Sequence, residues 1–194
     1  GRPAARVCDP GLAVTTAEAL GASITTSDGI PLRVRPIAAD DGERERHFIK
    51  SLSAESRYNR LMYQLREPSS GFVRQLTTID HVNTMALVVV DPIDACERFI
   101  AVARYARDPR IDAAEFALTV ADAWQRRRIG SQLARALFRH AASQGISRIY
   151  GYILANNDGM LSLVRALGMT IRAAPNEPQL MLASIELTAA KQHP

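Results

Sequence analysis

The chain has 194 residues, 47% of them apolar and 23% charged, with a formal net charge of +4 and a sequence pI of about 9.4. These figures fit one globular domain with an extension, large enough to bury a core without staples, and a mild basicity suited to an anionic ligand such as a nucleotide cofactor. They argue against a nucleic-acid partner, because the basic residues are dispersed with no aromatic platform among them, and no apolar run approaches the ~18 residues of a membrane span.

Residues 1–10, mixed and Pro-containing, carry no basic-then-apolar leader pattern, which makes the cytoplasm the default expectation. Cys8 and Cys96 form neither a disulfide framework nor a zinc spacing and read as reduced thiols. A short helix could form over 12–20. Residues 23–26 and 30–36 read as strands around Ser27-Asp28-Gly29, a hairpin signal. A helix over 40–52 places Phe48, Ile49 and Leu52 at helical spacing. Ser53-Ala54-Glu55-Ser56 opens the next helix with Ser at the cap. Its fourth residue is Ser where a capping box needs Glu or Gln, so the box is incomplete. That helix would carry Leu61 and Met62 inward. A further helix over 68–76 would begin with Pro68 in its first turn.

Residues 85–90 are a continuous apolar, β-branched run, read as a buried strand ended by Asp91-Pro92. Strands over 98–106 and 114–120 follow, the first ended by Asp108-Pro109. Ile129, Leu133, Leu137 and Ala141 recur every four residues, an amphipathic helix closed by Gly145. Then come a strand over 146–154 and a helix over 158–167, with Leu161, Val164 and Leu167 inward and Gly168 as its stop. Strands over 169–173 and 179–187 flank a Pro175-Asn176-Glu177-Pro178 loop. This order describes a mixed α/β sheet with helices on both faces, and the short connections favour one compact domain.

The chemistry concentrates between Glu115 and Ser131. A strand ends near Val120, a turn follows, and a helix begins near Arg128. A helix start offers free N–H groups and the positive end of the macrodipole, which together suit a pyrophosphate. Gly130 and Ser131 are small enough for close approach of phosphate to backbone. Taken alone, the same pattern also describes a basic, solvated helix start that binds nothing.

The run Gln125-Arg126-Arg127-Arg128-Ile129-Gly130 resembles the signature of the GNAT family of N-acetyltransferases: Gln or Arg, two residues, Gly, one residue, then Gly or Ala. Gly130 matches; Arg128 stands where the first Gly is expected, so its side chain must either point away from the phosphates or bend back to them. Asn156-Asn157-Asp158-Gly159 resembles the family's strand-to-helix junction, and Leu167-Gly168-Met169 its next helix end. Upstream, Arg33-Val34-Arg35-Pro36, the stretch Leu52-Ser53-Ala54-Glu55-Ser56-Arg57-Tyr58-Asn59-Arg60 and Ala114-Glu115-Phe116-Ala117 are similar to the acetyltransferase domain of Pat-type bacterial protein lysine acetyltransferases.

The resemblance implies a mostly antiparallel sheet of six to seven strands, split by a V-shaped acetyl-CoA groove. It divides the chain into an extension (1–29), the acetyltransferase domain (30–188) and a tail (189–194). Backbone groups around Leu118, Thr119 and Val120 would hold the pantetheine and thioester. Gln125, Arg126, Arg127, Arg128, Ile129, Gly130 and Ser131 would hold the pyrophosphate, and Asn157 the cofactor arm. Glu115 would be the general base for an attacking amine, its alternative being a surface carboxylate or ion-pair partner. Tyr152 stands where relatives often carry a second Glu, and could orient water, protonate the thiolate or simply pack. Val164 stands where many relatives carry a Tyr acid. Asp80-His81 reads as a loop feature, and His47, His140 and His193 show no metal-ligand spacing, so no metal is expected. The expected function is acetyl transfer from acetyl-CoA to an amine, a protein lysine first and a small molecule second. The alternative is a non-catalytic acyl-CoA-binding module. Homodimer formation stays open.

Overall fold

The computed structural model describes residues 24–61, 67–91, 93 and 97–187. The helix considered over 12–20, Met62, both cysteines, His193 and the tail lie outside them. Eight strands form one sheet: β1 (Ile24–Thr25), β2 (Pro31–Pro36), β3 (Thr84–Val90), β4 (Phe99–Asp108), β5 (Ala113–Val120), β6 (Arg148–Leu154), β7 (Thr170–Ala174) and β8 (Glu177–Glu186), in the spatial order β1-β2-β3-β4-β5-β6-β8-β7. Every neighbouring pair is antiparallel except β5–β6. The sheet exceeds the expected six to seven strands because the two-residue β1 joins it, pairing Ile24 with Leu32 and Thr25 with Pro31.

Among the described residues five α-helices flank the sheet: α1 (Gly42–Ser51), α2 (Ala54–Leu61), α3 (Ser70–Thr77), α4 (Ile129–Ser143) and α5 (Asp158–Ala166). Strand β3 shows why its apolar run is unbroken. Leu87 and Val89 join the cluster under α4, with Ile129, Leu133 and Leu137, while Ala86, Val88 and Val90 join Phe48 and Leu52 on the opposite face. A strand covered on both faces needs apolar side chains at every position. Burying side chains of this size stabilises the fold by about 1.5–3 kcal/mol each.

Two expected boundaries move for local reasons. Pro68 lies before α3 rather than in its first turn, because Ser69 takes the cap and its Oγ accepts the Phe72 N–H at 3.2 Å. The 175–178 loop contracts to a tight turn: Asn176 adopts φ 62°, and Glu177 and Pro178 already belong to β8.

The sheet opens where β5 meets β6. Only two residue pairs join them, Ala114 with Ile149 and Glu115 with Tyr150, although each strand stays fully paired to its other neighbour. Gly151 sits at the fork. A Cβ there would lie 2.8 Å from Phe116 Cε1 and 3.0 Å from the Phe116 carbonyl oxygen. Glycine therefore lets the Phe116 ring fill the root of the split, where it also meets Phe138 edge-on at 5.3 Å.

Candidate active site

The split is a groove of about 840 Å³, lined along β5 from Glu115 to Val120, by the start of α4, by the β6–α5 junction and by α2. Its β5 wall is backbone that no β6 residue pairs with beyond Glu115. In the β4–β5 ladder the Ala121 N–H donates to the Ile100 carbonyl, and the antiparallel register makes Thr119, Ala117 and Glu115 the residues that exchange bonds with β4. The N–H and C=O groups of Leu118 and Val120 consequently face the opening. Of these, the Val120 carbonyl accepts from Gln125 Nε2 at 3.1 Å. Thr119 differs from its two neighbours: its backbone serves β4, its side chain is buried, and its Oγ1 accepts from Arg60.

At the far end, α4 begins under an irregular turn. Arg126 and Arg128 take φ of 60° and 64°, the left-handed region, with Arg128 as the helix N-cap. This explains why a glycine suits the position of Arg128 and what an arginine there costs, about 1–2 kcal/mol of backbone strain. The helix geometry leaves the first-turn N–H groups of Ile129, Gly130 and Ser131 without helical acceptors. Gly130 packs closely: a Cβ would sit 3.4 Å from both Leu118 Cδ2 and Leu163 Cδ2. The three arginines separate. Arg126 and Arg128 line the groove. Arg127 is not among its lining residues; its guanidinium lies over Trp124 at 5.1 Å and reaches Asp28 at 3.8 Å. Trp124 thus packs against a side chain of the turn. Asn157 caps α5, its Oδ1 accepting the Met160 N–H at 3.1 Å, and it lines the groove opposite α4.

The inner end of the groove is built from side chains. Glu115 keeps solvent contact, yet burial by its surroundings, then the negative charge of Asp108, raise its pKa above the ordinary carboxylate value. Asp108 itself is held low by hydrogen bonds from Arg110. Tyr150, the β6 partner of Glu115, approaches Asp108 Oδ2 at 3.4 Å. Burial, then Glu115 and Asp108, push its phenol up. Tyr152 lies two residues on along β6, lines the groove and meets Tyr150 edge-on at 6.1 Å. On the same side of β5, Glu45 Oε1 accepts from Arg104 at 3.0 Å and Arg60 at 3.3 Å. The Glu45 side chain is 0% exposed and that of Arg60 3%, so the triad puts two cations and one anion under the groove floor. Burial, then Arg60, bring Arg104 down to about 10.

Glu115, Tyr152, Leu118, Thr119, Val120, Gln125, Arg126, Arg128, Ile129, Gly130, Ser131 and Asn157 all line one groove. Arg127 stands apart from it. Sequence reasoning missed Tyr150, Asp108 and the Glu45–Arg60–Arg104 triad. The alternation of Tyr150 and Tyr152 on one strand was a usable signal, since residues two apart share a face; nothing local marked the triad. Asp80 behaves as a loop residue, accepting from the N–H groups of Val82 and Thr84. Among the described residues no group of three His, Cys, Asp or Glu is placed to hold a metal ion.

Comparison with known proteins agrees with this geometry. The model of the family described as Acetyltransferase (GNAT) family matches residues 47–169. Acetyltransferase PA5475 of Pseudomonas aeruginosa is 31% identical over 160 residues, covering 82% of this chain and 86% of that protein. Acetyltransferase Pat of Mycolicibacterium smegmatis is 31% identical over 136 residues, 70% of this chain but only 40% of that longer protein. Among solved structures, the GNAT domain of S. lividans PAT superposes with a TM-score of 0.79 at 30% identity, covering 86% of this chain and 96% of that domain.

Proposed function

Because the chain belongs to the GNAT acetyltransferase family, we propose that it carries the acetyl group of acetyl-CoA to a lysine side chain of a protein, with Glu115 as the base. Acetyl transfer to an amine is the reaction of this family. The observation that carries the finer reading is the two-pair contact between β5 and β6, which leaves a groove with free backbone on one wall, a helix N-terminus at one end and a raised carboxylate at the other.

These residues fit acetyl-CoA. The first-turn N–H groups of α4, with Arg126 and Arg128, suit its pyrophosphate. The inward backbone groups of Leu118 and Val120 suit its amide-bearing arm, and Asn157 lines the same space. When bound, acetyl-CoA supplies a thioester whose carbonyl the amine attacks, the C–N bond forming as the C–S bond breaks. The chain's own residues move protons. Glu115 takes one from the ammonium of the acceptor, which must be neutral to attack. Tyr152, exposed in the groove wall, returns one to the departing sulfur. Glu55 on α2 and Glu115 line the groove, and their negative charge favours a cationic acceptor such as lysine.

Steady-state acetyl-CoA turnover on lysine peptides and on small amines tests both parts. Glu115→Gln is expected to lower kcat/KM by about 10²–10⁴ and to remove the acid limb of the pH profile. Full activity in that variant at every pH would exclude Glu115 as the base. Turnover of small amines alone would exclude a protein lysine as acceptor.

A further inference from the structure

The incomplete capping box of α2 is completed from elsewhere. Ser53 caps the helix, its Oγ accepting the Ser56 N–H at 3.1 Å. In the usual box, an acidic residue at the position of Ser56 would reach back to the Ser53 N–H. Here Asp122, in the turn between β5 and α4, takes that place. Its Oδ2 accepts the Ser53 N–H at 3.0 Å, and its Oδ1 accepts the hydroxyls of Ser53 at 2.8 Å and Ser56 at 2.7 Å. Gln125, three residues on, donates to Ser56 Oγ at 3.3 Å and to the Val120 carbonyl at 3.1 Å. These bonds hold the carboxylate low despite partial burial. The capping acid of α2 is therefore carried by the turn that leads into the helix start facing the cofactor.

We infer that Asp122 is a positioning residue that transmits occupancy of the cofactor end to α2, the wall that brings Glu55, Asn59 and Arg60 to the acceptor end of the groove. The inference rests on reading the groove as an acyl-CoA site. A ligand on the α4 first turn orders the 121–128 turn, and Asp122 passes that order to the N-terminus of α2.

Hydrogen exchange with and without CoA, joined to two-substrate kinetics, tests this on the whole chain. In the wild type, CoA slows exchange in both the first turn of α4 and α2. In Asp122→Ala the slowing at α4 remains and that at α2 is lost. The acceptor KM rises roughly tenfold, as expected for losing hydrogen bonds to a charged acceptor, and the acetyl-CoA KM rises less. The double variant Asp122→Ala with Ser56→Glu restores a capping box within α2. It is expected to recover the CoA-free protection of α2 without recovering its response to CoA. Equal slowing of α2 by CoA in Asp122→Ala overturns the inference, as does recovery of the wild-type acceptor KM in the double variant, which would make Asp122 a cap and nothing more. Absence of slowing at α4 in the wild type would overturn the cofactor site itself.

Discussion

The two ends of the groove are made of different material. At the α4 end the groups offered to a ligand are peptide N–H groups, and the side chains mainly shape the turn. At the Glu115 end they are carboxylates, phenols and guanidiniums drawn from β4, β5, β6, α1 and α2. A backbone-built site depends on local chain geometry, so it tolerates a changed side chain whose φ and ψ can still be reached. A charge-built site depends on every partner, because each buried ion is stabilised only by its neighbours.

The sharpest way to break this contrast is Glu45→Ala. Glu45 is wholly buried, and a single oxygen serves both Arg60 and Arg104. Its removal leaves two buried guanidiniums with no anion between them, and breaking a buried ionic cluster this way costs about 3–5 kcal/mol. Denaturant unfolding should show that loss. A loss under about 1 kcal/mol would mean that water or a rearranged partner reaches the triad, and that this end is less charge-dependent than its geometry indicates.

Arg128→Gly applies the opposite test at the other end. Glycine removes the Cβ strain at φ 64° but loosens the unfolded chain, so stability should rise by up to about 1 kcal/mol. The variant also removes a guanidinium that lines the groove. If peptide N–H groups carry the phosphate, the Kd for CoA measured by calorimetry should rise by no more than roughly tenfold, about 1.4 kcal/mol and no more than an ordinary hydrogen bond contributes. A hundredfold loss would make the arginine, not the backbone, the phosphate ligand, and the contrast would fall.

The same difference decides what was legible in the sequence. The α4 end is local. Val120, Gln125, Gly130 and the apolar repeat from Ile129 lie within about one strand-turn-helix unit, and local reading places the strand end and the helix start. Arg127 is the exception, because whether it faces the groove or Trp124 depends on the left-handed residues on either side of it. The Glu115 end is non-local. Glu45 lies 59 residues before Arg104, and Tyr150 lies 42 after Asp108. No periodicity joins them; only the register of the sheet does. Asp122 shows the boundary between the two cases. The missing acid of the α2 box was visible at Ser56, but its substitute lies 66 residues away.

The smallest effect is the most specific. Asp108→Asn leaves the Glu115 carboxylate in place and removes the negative charge that helps raise it, the larger cause being burial. As the proposed base, Glu115 must be ionised to accept a proton, so on that proposal kcat/KM rises with pH as it loses its own. With the pKa raised, that acid limb lies above the range of an ordinary carboxylate. Removing Asp108 favours the charged form of Glu115, and the limb should move to lower pH while the plateau above it changes little. The same carboxylate supports the opposite stability effect. A carboxyl with a raised folded-state pKa binds more protons folded than unfolded, so it lowers stability as pH climbs through that range, and Asp108→Asn should weaken this decline. A kinetic limb that stays fixed in Asp108→Asn would mean that burial alone sets Glu115, and that the inner end of the groove relies less on its neighbouring charges than the Glu45 triad does on its own.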